Sequence, residues 1–124
     1  NGTFEEGEDW GGDYFPHSDT ASFGLHSGDF NGDGTQDILY RGDCDGASCW
    51  RVHLGQSNNL GAGEDWGNGY YGSQISLQIG LQVNDFNGDG RDDLLYRGKC
   101  GNTGVHCWRM HLSNGAGFNT PIGW

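Results

Sequence analysis

The sequence predicts an all-β chain, and three observations carry that expectation. No window shows a 3.6-residue apolar period, and 25 of the 124 residues are glycine, which weakens any helix. Short apolar runs such as Ile38-Leu39-Tyr40 and Leu94-Leu95-Tyr96 stand between turn residues, as strands covered on both faces do. The chain is also one unit used twice. Trp10 and Trp66, Asp29 and Asp85, and Cys44 and Cys100 are each 56 residues apart. Beyond those cysteines the offset becomes 58, from Cys49 to Cys107, Trp50 to Trp108 and Trp66 to Trp124. A repeat of this size is that of a four-stranded propeller-type blade. The expected architecture is therefore two four-stranded antiparallel blades, residues 13–68 and 69–124, with an extra strand in residues 1–12.

Each element has its reason. First strands are expected at Ser22–Gly28 and Leu77–Asn84, each leading into an Asp/Asn/Gly-rich phrase. Second strands follow at Asp37–Arg41 and Asp93–Arg97. The whole length difference between the copies falls between their two cysteines, which marks a surface loop, because insertions are tolerated at exposed loop tips. Third strands are read at Cys49–Leu54 and Cys107–Leu112, where Trp, Val or Met, and Leu alternate with Arg and His. A Gly/Asn turn then leads to fourth strands ending at Trp66 and Trp124. Residues 1–10 resemble a fourth strand with no blade before it. Two blades cannot close a ring of four to eight, and open edges invite pairing. Completion by oligomerisation, or by a longer parent chain, is the expected consequence.

The repeated phrase is Asp29-Phe-Asn31-Gly-Asp33-Gly-Thr35-Gln-Asp37, then Asp85-Phe-Asn87-Gly-Asp89-Gly-Arg91-Asp-Asp93. Oxygen-bearing side chains stand at positions 1, 3, 5 and 9, with glycine at 4 and 6. A hard cation such as Ca²⁺ takes about six to eight oxygen ligands. Position 7, Thr35 or Arg91, would add its backbone carbonyl, which leaves its side chain free to vary. Two Ca²⁺ sites are expected, although Asx-rich turns between strands use the same residues. An EF-hand is excluded, because position 12 is Tyr40 or Tyr96 where that loop needs Glu, and the flanks read as strands.

Composition narrows the function. The formal net charge of −11 argues against nucleic acid and anionic membrane surfaces as partners. Two Ca²⁺ would bring −11 to −7 and relieve much of the self-repulsion. Leu, Ile, Val and Phe make up only 22 of the 124 residues, while five Trp and five Tyr favour a folded chain. No stretch approaches the roughly 20 apolar residues of a membrane span. The chain opens on Asn1-Gly2-Thr3, a glycosylation sequon, without a leader, which suggests a processed mature form or an excised fragment.

Other residues carry weaker signals. Cys44 with Cys49, and Cys100 with Cys107, pair naturally as disulfides closing short loops, in keeping with a secreted chain. A zinc site is the alternative, but these spacings match no common zinc pattern. Arg41-Gly42-Asp43 spells an adhesion tripeptide that the second copy lacks, having Arg97-Gly98-Lys99. Trp50, Arg51, His53, Trp108, Arg109 and His111 form a possible ligand-binding set, with an aromatic platform and polar groups as in sugar sites. The alternative places the tryptophans in the core between blades. There is no Gly-x-Ser-x-Gly or His-Glu-x-x-His motif, and the best acidic pairs are committed to metal, so no enzyme is expected.

The two phrases, the Ile38-Leu39-Tyr40-Arg41 and Leu94-Leu95-Tyr96-Arg97 strands, the Trp-Arg-Val/Met-His-Leu strands, Asn114-Gly-Ala-Gly-Phe118 and Ile122-Gly-Trp124 together resemble the FG-GAP/VCBS repeat family over essentially the whole chain. The resemblance implies propeller blades in secreted or cell-surface proteins, each with a calcium loop between its first two strands. It carries calcium ligation onto Asp29, Asn31, Asp33 and Asp37, and onto Asp85, Asn87, Asp89 and Asp93. The family's propellers usually have about seven blades on one chain, and the bracketing cysteines are not a general family feature. The expected function is a secreted, calcium-binding, self-associating structural or adhesion module, its partner being itself through open blade edges. The alternatives are a lectin-like module that binds glycans and a non-catalytic accessory domain of an extracellular hydrolase.

Overall fold

The computed structural model describes residues 25–44, 47–68, 80–99 and 104–123, without the side chains of residues 43, 44, 47, 48, 68 and 99. The extra strand expected in residues 1–12 lies outside them. All regular structure among the described residues is β. Strands β1 (His26–Gly28), β2 (Asp37–Cys44), β3 (Ala47–Gly55) and β4 (Leu60–Asn68) form one sheet in that order. Strands β5 (Gln82–Asn84), β6 (Asp93–Lys99), β7 (His106–His111) and β8 (Ile122–Gly123) form a second, in the same order. Every pairing is antiparallel between neighbours in sequence, so each sheet is a meander of blade type.

Boundaries differ from the sequence reading in a systematic way. Strands β1 and β5 begin at His26 and Gln82 among the described residues, while residues 22–24 and 77–79 of the expected first strands lie outside them. Strand β2 runs past Arg41 to Cys44, because its hairpin continues pairing as far as Cys44 opposite Ala47. Trp66 lies inside β4, two residues short of its end.

One apolar cluster joins the sheets: Phe30, Leu39, Trp50, Val52 and Trp66 of the first, with Leu81, Leu94, Tyr96 and Phe118 of the second. Phe30 stands edge-on to Trp66 and Phe118, with centroids 6.3 Å and 5.6 Å away, and Trp66 stands edge-on to Phe118 at 5.4 Å. Edge-to-face contact aligns each ring's positive rim with its neighbour's negative face. Four hydrogen bonds lock the junction. The Asp29 amide donates to Asp92 Oδ2 at 2.7 Å, and the Asp92 amide to the Asp29 carbonyl at 2.8 Å. The Ser113 hydroxyl donates to the Phe30 carbonyl at 2.6 Å, and the Phe118 amide to the Trp66 carbonyl at 2.9 Å.

The alternation of Arg and His along β3 and β7 suggested a polar face, and here the structure differs. His53 and His111 are buried. His53 Nδ1 lies 2.8 Å from the Gly61 carbonyl and Nε2 3.3 Å from the Tyr40 hydroxyl. His111 repeats this with the Asn119 carbonyl and the Tyr96 hydroxyl, both at 3.0 Å. A carbonyl only accepts, so Nδ1 carries the proton and Nε2 accepts from the tyrosine. Each pair is a strut across three adjacent segments, its rings stacked at 16°.

Burial pulls the His111 pKa down from 6.5 to about 4, with Arg109 adding to the effect and the Asn119 bond opposing it. The unfolded chain takes up a proton near 6.5, so the contribution to stability is complete above that pH and is lost as pH falls toward 4. Between pH 7 and pH 5 the loss should reach about 2 kcal/mol. Urea midpoints measured across that window should fall, and His111→Gln should flatten the slope.

Candidate functional site

The two repeated phrases are the turns between β1 and β2 and between β5 and β6. Their curl comes from Gly32 and Gly34, at φ 79° and 87°, matched by Gly88 and Gly90 at 78° and 85°. That left-handed region costs a side chain but not glycine. The first carboxylate then folds the loop around itself. Asp29 Oδ1 accepts the amides of Gly32 and Asp33 at 2.8 and 3.1 Å, and Oδ2 that of Gly34 at 2.8 Å. Asp85 does the same for Gly88, Asp89 and Gly90 at 2.6, 3.1 and 2.8 Å. Asn31 Oδ1 accepts the Asp33 amide while its Nδ2 donates to Asp33 Oδ2, both at 2.9 Å, and Asn87 repeats this with Asp89 at 3.0 Å. The Asn31 side-chain bond first, then the Thr35 amide, holds Asp33 below the usual carboxylate pKa, and the Asn87 bond first, then the Arg91 amide and charge, does the same for Asp89, so both are ionised at neutral pH.

Asp37 and Asp93 occupy a different environment, fully buried beneath their loops. Asp37 accepts the Phe30 amide at 2.9 Å and the Gly55 amide at 2.8 Å, tying loop, β2 and the end of β3 together. Asp93 accepts the amides of Phe86 at 3.1 Å and Ser113 at 2.9 Å. Burial raises both pKa values, and the amide bonds oppose it.

The loops differ at position 7. Thr35 is neutral, whereas the Arg91 guanidinium pairs with Asp89 Oδ2 at 2.7 Å. The donor chemistry of both loops suits a hard cation: oxygen only, partly ionised, and solvent-facing at Asp33 and Asp89. Among the described residues no three His, Cys, Asp or Glu side chains converge on one point, because the first carboxylate faces its own amides and the ninth is drawn beneath the loop.

The remaining sequence candidates scatter. Trp50 is core, Trp108 is exposed, and Arg51 donates to the Gly63 carbonyl at 2.9 Å. With His53 and His111 buried, the six residues of the possible ligand set form no common surface. Neither Cys49 nor Cys107 is a free thiol. The side chains of Cys44, Cys100 and Asp43, and with them both loop tips and the acid of the Arg-Gly-Asp triplet, lie outside the described residues. Sequence reading missed Phe30, Asp92 and Ser113, which make the junction between the sheets. The invariant Phe at position 2 of both phrases was the available signal.

A repeated four-stranded antiparallel meander with an Asp-rich loop after its first strand defines a class, the all-β blade-type repeat modules. The family model for the FG-GAP-like repeat matches residues 29–96, 68 of the 124 residues, and the chain belongs to that family. Such repeats typically occur in extracellular proteins and are generally non-catalytic structural modules. No curated protein and no solved structure matches the chain. No helix among the described residues is long and apolar enough to cross a membrane.

Proposed function

We propose that the chain is a secreted, non-catalytic structural module that binds two calcium ions and associates with copies of itself. The observation that carries the metal reading is the loop built twice from oxygen donors, curled by Asp29 or Asp85 around three amides. Asp29, Asn31, Asp33, Asp37 and the Thr35 carbonyl would hold one ion. Asp85, Asn87, Asp89, Asp93 and the Arg91 carbonyl would hold the other. The ion would supply positive charge where each loop gathers carboxylates, and so tie it shut. Disulfides Cys44–Cys49 and Cys100–Cys107 would pin the hairpin tips, each contributing about 2–3 kcal/mol at best.

The loops should differ in affinity, because Arg91 already neutralises Asp89 in the second. Calorimetric titration should resolve a tighter and a weaker calcium site, and Arg91→Thr should bring them together. Asp33→Ala and Asp89→Ala should each remove one site and its share of the calcium-dependent rise in Tm. Wild-type melting unchanged between calcium and chelator would reject the metal reading. Native mass measured over a range of concentrations tests association.

A further inference from the structure

The two repeats share a sequence pattern but differ in what covers them. Phe30 is fully buried, whereas Phe86, at the same place in the same phrase, is 38% exposed. Trp50 is 2% exposed and its counterpart Trp108 is 52% exposed. Ile122 lies opposite Met110 and is 47% exposed, so Trp108 and Ile122 stand exposed on the face of the second sheet that they share with the buried Met110. On the first sheet that face is covered by Leu81, Val83 and Phe118. The first sheet's own residues at those three places are Leu25, Ser27 and Leu60. Leu25 is 62% exposed where Leu81 is buried. The described residues thus present on one side a receiving face, and on the other the face that such a surface receives.

We propose that the open face around Phe86 and Trp108 docks the first sheet of a second copy, around Leu25 and Leu60, in the register of the internal sheet-to-sheet contact. This rests on the self-association reading and specifies its surfaces. The register is supported by an exchange of sizes at the closest point. A Cβ on Gly28 would stand 2.7 Å from Val83 Cγ1 and 2.9 Å from Asp92 Oδ2, so the internal contact requires glycine there. The second repeat has Asn84 at that place, and the incoming copy would present Ser27 instead of Val83. The larger residue moves to one side and the smaller to the other.

Asn84 does more than fill space. Its Oδ1 accepts the Asp85 amide at 3.0 Å, the task Asp92 performs for Asp29 across the internal junction. The donor that a neighbouring sheet satisfies inside the chain is satisfied locally at the open face. A free copy therefore carries no orphan amide there, and docking need not supply an acceptor. The incoming face also lacks two internal features, having Leu60 for Phe118 and Gly55 for the Ser113 hydroxyl. The contact between copies is a weaker, reversible version of the internal one. Because it joins unlike faces, it generates rings or filaments rather than two-fold dimers.

The test is sedimentation velocity of the whole chain in calcium across a concentration series, with Tm recorded for every variant. Wild type should assemble with concentration. Leu25→Asp should abolish assembly. Ser27→Val, on an exposed position, should weaken it about tenfold or more by crowding Asn84. Ser27→Val with Asn84→Gly and Gln36→Asp recreates the Gly28/Val83 pair together with the acceptor that Asp92 supplies at the internal junction, and should restore assembly. A wild type that stays monomeric throughout overturns the self-association reading and this proposal with it. Assembly that survives both Leu25→Asp and Ser27→Val overturns these faces alone and leaves self-association standing.

Discussion

Phe30→Ala should destabilise the chain by about 3–5 kcal/mol, the range for deleting a fully buried aromatic ring. Phe86→Ala should cost about 1 kcal/mol or less, since a partly exposed ring has less burial to lose. The local sequence is the same for both, Asp-Phe-Asn-Gly-Asp-Gly, so the contrast isolates what lies beyond the loop. Around Phe30 that is Trp66 of β4 and Phe118 of the segment between β7 and β8, both edge-on to it. Truncation would open a cavity where aromatic rings of the two repeats meet, and the sheets would lose part of their common core. Urea denaturation followed by tryptophan fluorescence measures both variants. Equal losses would mean that the two loops have equivalent surroundings, against the burial difference.

Asp37→Ala is the second large effect, expected at about 3 kcal/mol or more. Its carboxylate satisfies two buried amides, those of Phe30 and Gly55, and each orphaned buried donor costs about 1–3 kcal/mol. Asp37→Asn should cost less, because the amide oxygen still accepts one of the two. Thermal melts in excess chelator separate this structural cost from any loss of metal. In that condition Asp33→Ala, on an exposed side chain, should have little effect. A melt for Asp37→Ala matching Asp33→Ala would show that the buried bonds carry no stability of their own.

Much of the architecture was legible in the sequence. The 56-residue offset and the apolar runs at Ile38 and Leu94 indicate a repeated all-β unit, because a blade needs one strand buried on both faces. The loops were legible too, since Asn-Gly and Asp-Gly turns are set by local chemistry. His53 and His111 were not. Alternation with Trp and Val marked them as solvent-facing, but their partners Tyr40 and Tyr96 lie 13 and 15 residues away. A face is polar or buried according to what comes to rest on it, and strand periodicity does not encode that. Trp50 and Trp108 make the same point, each standing between Cys and Arg yet opposite in exposure. The roles of Asp92 and Gly28 were hidden for the same reason, because both act only where the two sheets meet.

The amide cage around Asp29 bears on how quickly an ion could come and go. Its three bonds curl the turn using the chain's own atoms, so the backbone need not search for that shape when a cation arrives. Capture would then be limited by stripping water from the ion and by turning the Asn31 and Asp33 side chains, rather than by chain ordering. A rapidly mixed chelator should therefore release calcium in a single fast phase, without the slow backbone signal that accompanies sites folding around their metal.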